Sequence, residues 1–248
     1  MTSLDRICSA NPLIVDFPEI AEIDINPLAV SNGKAFALDA RIIIDKNYDA
    51  TGRSPYPHLI ITPYPTRYIT PWKLSDGTEV LLRPIRPEDE PAEHEMLSSL
   101  SEDTLKTRFF SVIKDISHEW LILFCNIDYD RHMAIVAEME ENGKKRMIGV
   151  ARLIMDQDLK SGEVAVLVQD RFQGKRLGTK FVGMLIGIAR ERGLEEIRAD
   201  VLTENERMLN IFRRLGFTTH FVPGGTSEAV LKLKEYADFL SFPDAAFA

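Results

Sequence analysis

Residues 163–179 read E-V-A-V-L-V-Q-D-R-F-Q-G-K-R-L-G-T, and this stretch decides the fold. Its first six residues form a short apolar run of strand character. From Leu177 onward the period changes: Leu177, Phe181, Met184, Leu185 and Ile188 recur at helical spacing up to Gly193, whose place suits a left-handed cap. Strand therefore hands over to helix through a turn that holds Gly174 and Gly178 with Arg171, Lys175 and Arg176. Such a turn has the chemistry to hold a pyrophosphate. The first helical N–H groups have no intrahelical partner, they lie at the positive end of the helix dipole, and glycine lets an anion approach the backbone. Arg171, Lys175, Arg176 and Lys180 gather within ten residues of a chain whose net charge is -8, which favours a specific anion site over a general basic surface. A strand-to-helix connection with a solvated basic face explains the turn alone equally well, so the flanking elements must choose between the two.

Working outward, E-I-R-A-D-V-L (196–202) reads as a strand. Thr203 and Glu206 read as a capping box for the helix in N-E-R-M-L-N-I-F-R-R-L, which Gly216 closes before two final strands. Upstream, M-A-I-V-A-E-M, M-I-G-V-A-R-L-I-M and E-V-A-V-L-V read as three strands joined by turn-rich segments of hairpin length. Before them, T-E-V-L-L-R-P-I reads as a strand, and the segments beginning at Pro87 and Ser101 read as two helices. Residues 53–71 hold five prolines in nineteen positions, too many for a helix or a central strand, and read as a linker. Ahead of the linker, A-E-I-D-I-N-P-L-A-V and A-F-A-L-D-A-R-I-I-I-D flank S-N-G-K as a hairpin would, so residues 1–52 read as a short α-then-ββ piece, too small to bury its own core.

Composition narrows the function classes. A chain of 248 residues with 45% hydrophobic and 27% charged residues is globular rather than disordered. Its acidic balance argues against nucleic-acid and membrane partners. Cys8 and Cys125 lie far apart without metal-ligand spacing, so neither a disulfide framework nor a metal site is expected, and a reducing cytoplasm fits. The first residues lack the layout of a signal peptide, and no apolar run reaches the ~18 residues of a membrane span.

The order strand, helix, helix, three strands, glycine-bearing turn and helix, strand, helix, two strands resembles the GNAT acetyltransferase fold over residues 72–234. The resemblance implies an α/β (α+β) architecture with a mixed central sheet of about six or seven strands and flanking helices. In that family the turn is written Q or R, two residues, G, one residue, G or A; here it stands as Gln173, Gly174, Lys175, Arg176, Leu177, Gly178. Arg176 replaces the first glycine of the usual pair. N-E-R-M-L-N-I-F-R-R-L-G-F is similar to the family's helix that ends in L-G-F beside the thioester of coenzyme A. Residues 1–52 resemble the end of an ATP-grasp domain, with Asn26 and Asp39 at the positions that hold magnesium there. That order, an ATP-grasp end, a proline-rich linker (53–71), a GNAT domain (72–234) and a short tail (235–248), is similar to the C-terminal part of bacterial Pat-type protein lysine acetyltransferases.

The resemblance implies acetyl-CoA as co-substrate, with no metal required. It places Val166, Leu167 and Val168 along the pantetheine arm, Gln173, Gly174, Lys175, Arg176, Leu177, Gly178 and Thr179 around the pyrophosphate, and Asn205 near the pantetheine. Phe212 stands where many members have a tyrosine thought to protonate the leaving thiolate, and phenylalanine has no proton to give. A lysine ammonium, pKa about 10.4, must lose a proton before it attacks a thioester. Glu163, in G-E-V-A-V where Pat-type enzymes have A-E-F-A-V, is the candidate general base; Glu138 and Glu140 are secondary acids. The implied acceptor is a protein lysine on a CoA-forming enzyme such as an acyl-CoA synthetase. Acetylation of a small amine, and a non-catalytic acyl-CoA-sensing domain, stand as alternatives.

Overall fold

The computed structural model describes residues 17, 19–32, 34–46, 63–111 and 116–236. The chain divides into two units, residues 1–63 and 64–248. In the first, the two apolar runs each break into two short strands: β1 (Ile20–Asp24) pairs with β4 (Arg41–Ile44), and β2 (Leu28–Ser31) pairs with β3 (Lys34–Ala37), both antiparallel. The expected hairpin is thus two nested two-stranded pieces. Its exposed Leu28, Val30, Phe36, Ile42 and Ile44 agree with a piece too small for a core of its own. The helix expected before it lies outside the described residues.

The second unit is built on β5 (Thr70–Lys73), β6 (Glu79–Pro84), β7 (His132–Glu141), β8 (Lys144–Met155), β9 (Ser161–Val168), β10 (Glu196–Leu202), β11 (Thr218–Val222) and β12 (Thr226–Lys232). They form one eight-stranded sheet in the order β11-β12-β10-β9-β8-β7-β6-β5. This is one strand more than expected, because residues 64–71 do not belong to a linker. Tyr64 Oη donates to the Pro84 carbonyl at 2.8 Å, Tyr68 is buried, and β5 pairs with β6. Pro71 is tolerated because β5 is the edge strand, where no ladder partner awaits its missing N–H.

Helices α1 (Glu90–Ser98), α2 (Glu102–Phe109), α3 (His118–Cys125), α4 (Leu177–Glu191), α5 (Glu206–Arg214) and α6 (Leu233–Tyr236) complete the unit. The sequence predicts two helices between the first strands; the described residues form three, the third capped by the Ser117 side chain accepting from Trp120 N–H. Alternate residues of β7 divide between two cores. Met133, Ile135 and Ala137 join Phe181, Leu185 and Phe212 from α4 and α5, while Ala134 and Val136 meet Met96, Leu97, Leu121 and Cys125 from α1 and α3. A strand covered on both faces reads as a continuous apolar run, which is why its sequence carries no clear period.

The eight strands would form an unbroken ladder but for one place. β9 pairs with β8 antiparallel from Gly162 to Val168. Its parallel pairing with β10 covers only Ser161–Glu163 against Glu196–Arg198 and then stops. Beyond Glu163 the two strands diverge, and β9 faces a gap with main-chain groups that β10 does not satisfy. Behind the gap, Gly149 of β8 lies tightly between β9 and α4: a Cβ there would stand 2.9 Å from the Leu167 carbonyl oxygen and 3.0 Å from the Phe181 ring.

Candidate active site

The gap between β9 and β10 opens into a cleft of about 500 Å³, roofed by α2 and floored by α5. It is lined by Glu163, Val166, Leu167, Val168, Gln173, Gly174, Gly178, Asn205 and Phe212. These nine sequence-chosen residues, spread over 50 positions of chain from 163 to 212, meet in one cavity. Lys175, Arg176, Leu177 and Thr179 do not line it.

The turn after β9 explains the division. Asp170–Phe172 form a single 3₁₀ turn, and α4 begins at Leu177. Leu177 is buried in the core, so only its backbone is free to serve a ligand. Arg176, the residue that stands in place of glycine, is the N-cap and adopts φ +67°, ψ 0°. The chain thus keeps the left-handed conformation that glycine would take there, and an arginine bears the strain. The basic cluster is also less available than its composition suggests. Arg171 makes two hydrogen bonds to the Glu141 carboxylate, and Lys175 Nζ lies 2.7 Å from Asp76 Oδ2. That bond and the turn amide of Thr78 hold the Asp76 carboxyl down to about 2. Among the described residues, Arg176 and Lys180 have no ion-pair partner and remain free for an anion.

Glu163 occupies the apex, the last residue of β9 still paired with β10. It is exposed, and among the described residues its carboxylate makes no hydrogen bond, so its oxygens are free to accept a proton from a ligand. Glu138 and Glu140 are elsewhere, on a separate depression beside β5 and β6. Burial opposes ionisation of Glu138, but hydrogen bonds from Lys145 and Arg83 outweigh it and keep its carboxyl below the ordinary value. Neither secondary acid reaches the cleft; β7 carries them to the wrong side of the sheet order.

At the floor, Asn205 rather than Thr203 caps α5. Its side chain accepts from Met208 N–H at 3.1 Å, whereas Thr203 Oγ1 sits 3.2 Å from Ser227 Oγ. Phe212 is buried and packs on Phe217 with ring centroids 4.7 Å apart, so the floor at this point is hydrocarbon.

Several cleft residues escaped the sequence reading. Asp170 accepts from Ser101 N–H, Ser101 Oγ and Thr104 Oγ1, which pins the start of α2 to the glycine turn. Gln173 Nε2 donates to Thr104 Oγ1 and to the Val168 carbonyl, while Arg207 donates to Gln173 Oε1. Arg108 and Asp200 also line the cleft. Asp200 continues the polar alternation of Glu196 and Arg198 along β10, so nothing in the sequence set it apart, and Arg108 carried no signal either.

Residues 79–218 match the acetyltransferase (GNAT) domain family. The chain belongs to that family. The sheet that parts after Glu163 and the glycine turn leading into α4 are thus the parts of a GNAT acetyltransferase, with a mixed α/β fold. A second match, to an ATP-grasp domain, covers residues 4–44. The GNAT chain is 32% identical over 160 residues to "Acetyltransferase PA5475" of Pseudomonas aeruginosa, covering 64% of this chain and 86% of that one. It is 34% identical over 157 residues to "Acetyltransferase Pat" of Mycolicibacterium smegmatis, covering 63% of this chain and 44% of that protein, so it spans less than half the length of that relative. The GNAT domain of S. lividans PAT superposes with a TM-score of 0.62 at 24% identity, over 68% of this chain and 99% of that domain.

Proposed function

We propose that this GNAT acetyltransferase transfers the acetyl group of acetyl-CoA to the ε-amine of a protein lysine, on a CoA-forming metabolic enzyme such as an acyl-CoA synthetase. The observation that carries the reading is the parting of β9 and β10 immediately after Glu163. It exposes main-chain groups of Val164–Val168 to a linear ligand and leaves the Glu163 carboxylate at the closed end. With the pyrophosphate at the Gln173–Thr179 turn and the pantetheine along Val166–Val168, the thioester falls toward the apex. Metal ions have no part in this scheme.

Glu163, directly or through a water, accepts the proton that the ammonium sheds; the amine nitrogen then attacks the thioester carbonyl. Unpaired β9 amides are suited to hold the oxyanion of the tetrahedral intermediate. As the C–S bond breaks, the thiolate leaves, and a thiol pKa near 8.5 lets it depart without an acid, which suits a floor made of Phe212. Similarity to Pat and the ATP-grasp match at residues 4–44 support a protein acceptor linked to CoA metabolism. In this organisation residues 1–52 are the end of an ATP-grasp domain, 72–234 form the catalytic domain, and Asn26 and Asp39 take no part in transfer. A cytoplasmic location follows from the acetyl-CoA supply that the reaction needs.

Incubation with acetyl-CoA and an acyl-CoA synthetase, followed by mass spectrometry of the synthetase, tests the acceptor; an unmodified synthetase beside an acetylated polyamine or amino acid would replace it. A second reading, an acyl-CoA sensor without turnover, draws on the missing tyrosine at Phe212. Stabilisation by acetyl-CoA with no product from any acceptor would favour it.

A further inference from the structure

Arg108 is a cation of the cleft that the transfer reaction leaves unused. α2 is pinned at its start to the phosphate turn through Ser101, Thr104 and Asp170. Arg108 follows Ser101 by seven residues, roughly 10 Å farther along a helix that rises ~1.5 Å per residue. The same helix that fixes its start at the phosphate turn therefore carries Arg108 away from it, and Glu163 and Glu93 both act on its charge.

Its environment is unusual among the arginines of this unit. Arg83 is bound by Asp89 and Glu138, Arg146 by Glu95 and Glu141, Arg152 by Glu93, and Arg198 by Asp156. Arg192 donates to the carbonyls of Tyr129 and Asp130. Among the described residues, Arg108 is the half-buried arginine with neither an ion pair nor a hydrogen bond; its guanidinium lies over the Phe109 ring, 5.1 Å from the centroid. Burial and the neighbouring Arg152 both act against its charge. A guanidinium cannot shed its proton and has five N–H donors to satisfy, so a partly desolvated one without an acceptor is costly unless a ligand supplies the anion.

We propose that Arg108 forms a carboxylate-binding subsite beside the reacting centre, so that the productive complex carries a carboxylate close to the transferred carbonyl. Two sources fit this chemistry: the far end of a dicarboxylic acyl group on the CoA donor, or an acidic group next to the amine on the acceptor. The planar fork of arginine matches a carboxylate with two parallel hydrogen bonds, a match that lysine lacks. This inference rests on the cleft being the acyl-transfer site, though not on a lysine acceptor.

Binding measurements test it without requiring turnover. In the donor arm, calorimetry compares succinyl-CoA with butyryl-CoA, which has the same chain length and no carboxylate. In the acceptor arm, with the cleft saturated by CoA, a lysine peptide with aspartate beside the lysine is compared with its asparagine twin. One arm should show a preference of roughly 10- to 100-fold for the carboxylate, the range expected for a charge-assisted pair. Arg108→Gln should reduce that preference to within about 2-fold, and Arg108→Lys should retain part of it. Equal binding in both arms by the wild-type protein, or a preference that survives Arg108→Gln, overturns the subsite. A drop in kcat for every substrate with unchanged binding ratios also overturns it, and assigns Arg108 to the oxyanion instead. Loss of lysine transfer with the binding preference intact would count against the acceptor reading alone. As a folding control, Arg108→Gln should not lower the melting temperature of the free protein, whereas Arg152→Gln should, because it strands Glu93 in the core.

Discussion

Replacing Arg176 with glycine should make the free protein more stable and its grip on coenzyme A weaker. The residue is the N-cap of α4 with φ +67°, a conformation that costs an L-residue about 1–2 kcal/mol and glycine almost nothing. Glycine gives back part of that gain, about 0.5–1 kcal/mol, because its unfolded chain is freer. The net gain is then roughly 0.5–1 kcal/mol, or about 1–4 °C in melting temperature for a unit of this size. No folded-state contact offsets it, since the exposed guanidinium has no ion-pair partner among the described residues. Coenzyme A affinity should move the other way, by roughly 2- to 5-fold, as one exposed cation near the pyrophosphate is lost; the loss should shrink in high salt. Differential scanning fluorimetry with and without CoA reads both effects. Arg176→Ala separates them: it should lose affinity to the same extent without gaining stability, because alanine keeps the backbone penalty. A lower melting temperature for the glycine variant would show that the left-handed turn is not strained, and unchanged CoA affinity would remove Arg176 from the phosphate site.

Glu163→Gln should lower kcat about 10²- to 10⁴-fold at neutral pH while leaving acetyl-CoA affinity within a factor of about two, and the defect should narrow as pH rises toward the amine pKa of ~10.4. Near-normal turnover at pH 7 removes it as the base. Gly149→Ala should destabilise by about 1–3 kcal/mol in denaturant melts, because the new methyl would meet the Leu167 carbonyl at 2.9 Å and backbone cannot easily move aside; stability within error would mean that β8 and β9 can part at this point. The Asp156 carboxyl is held down to about 2, first by the Arg198 guanidinium and then by the Ser161 hydroxyl. Its folded value lies below the unfolded one, near ~3.9, so the stability it contributes is full above that value and is lost as pH falls toward 2. The melting-temperature gap between wild type and Asp156→Asn should therefore be constant from pH 7 to about 5 and close between about 4 and 2; a gap that persists at pH 2 would contradict the assignment.

Local signals carried the sequence reading where one segment of chain suffices. The change from strand to helical period after Val168, the left-handed glycine at 193 and the serine cap at 101 depend on neighbours a few residues away, and each was legible. Edge position was not. The prolines of 64–71 looked like a linker because composition cannot tell that a strand will lie at the border of a sheet, where a missing N–H does no harm. Capping was misassigned to Thr203 because Ser227 claims its hydroxyl from across a strand pair.

From its own order of residues the chain determined that a strand, a glycine turn and a helix would build a corner with the chemistry to hold an anion, because the free N–H groups and positive dipole of a helix start are local properties. Tertiary structure alone decided what that corner is joined to. Strand pairing ends after Glu163 and so sets its carboxylate at the apex, while Glu141 and Asp76 claim two of the four cations that the turn advertised. Among the described residues it also left Arg108 without an anion, since ion pairs between distant segments form only where packing brings the charges within a few ångströms, a distance that sequence spacing does not encode.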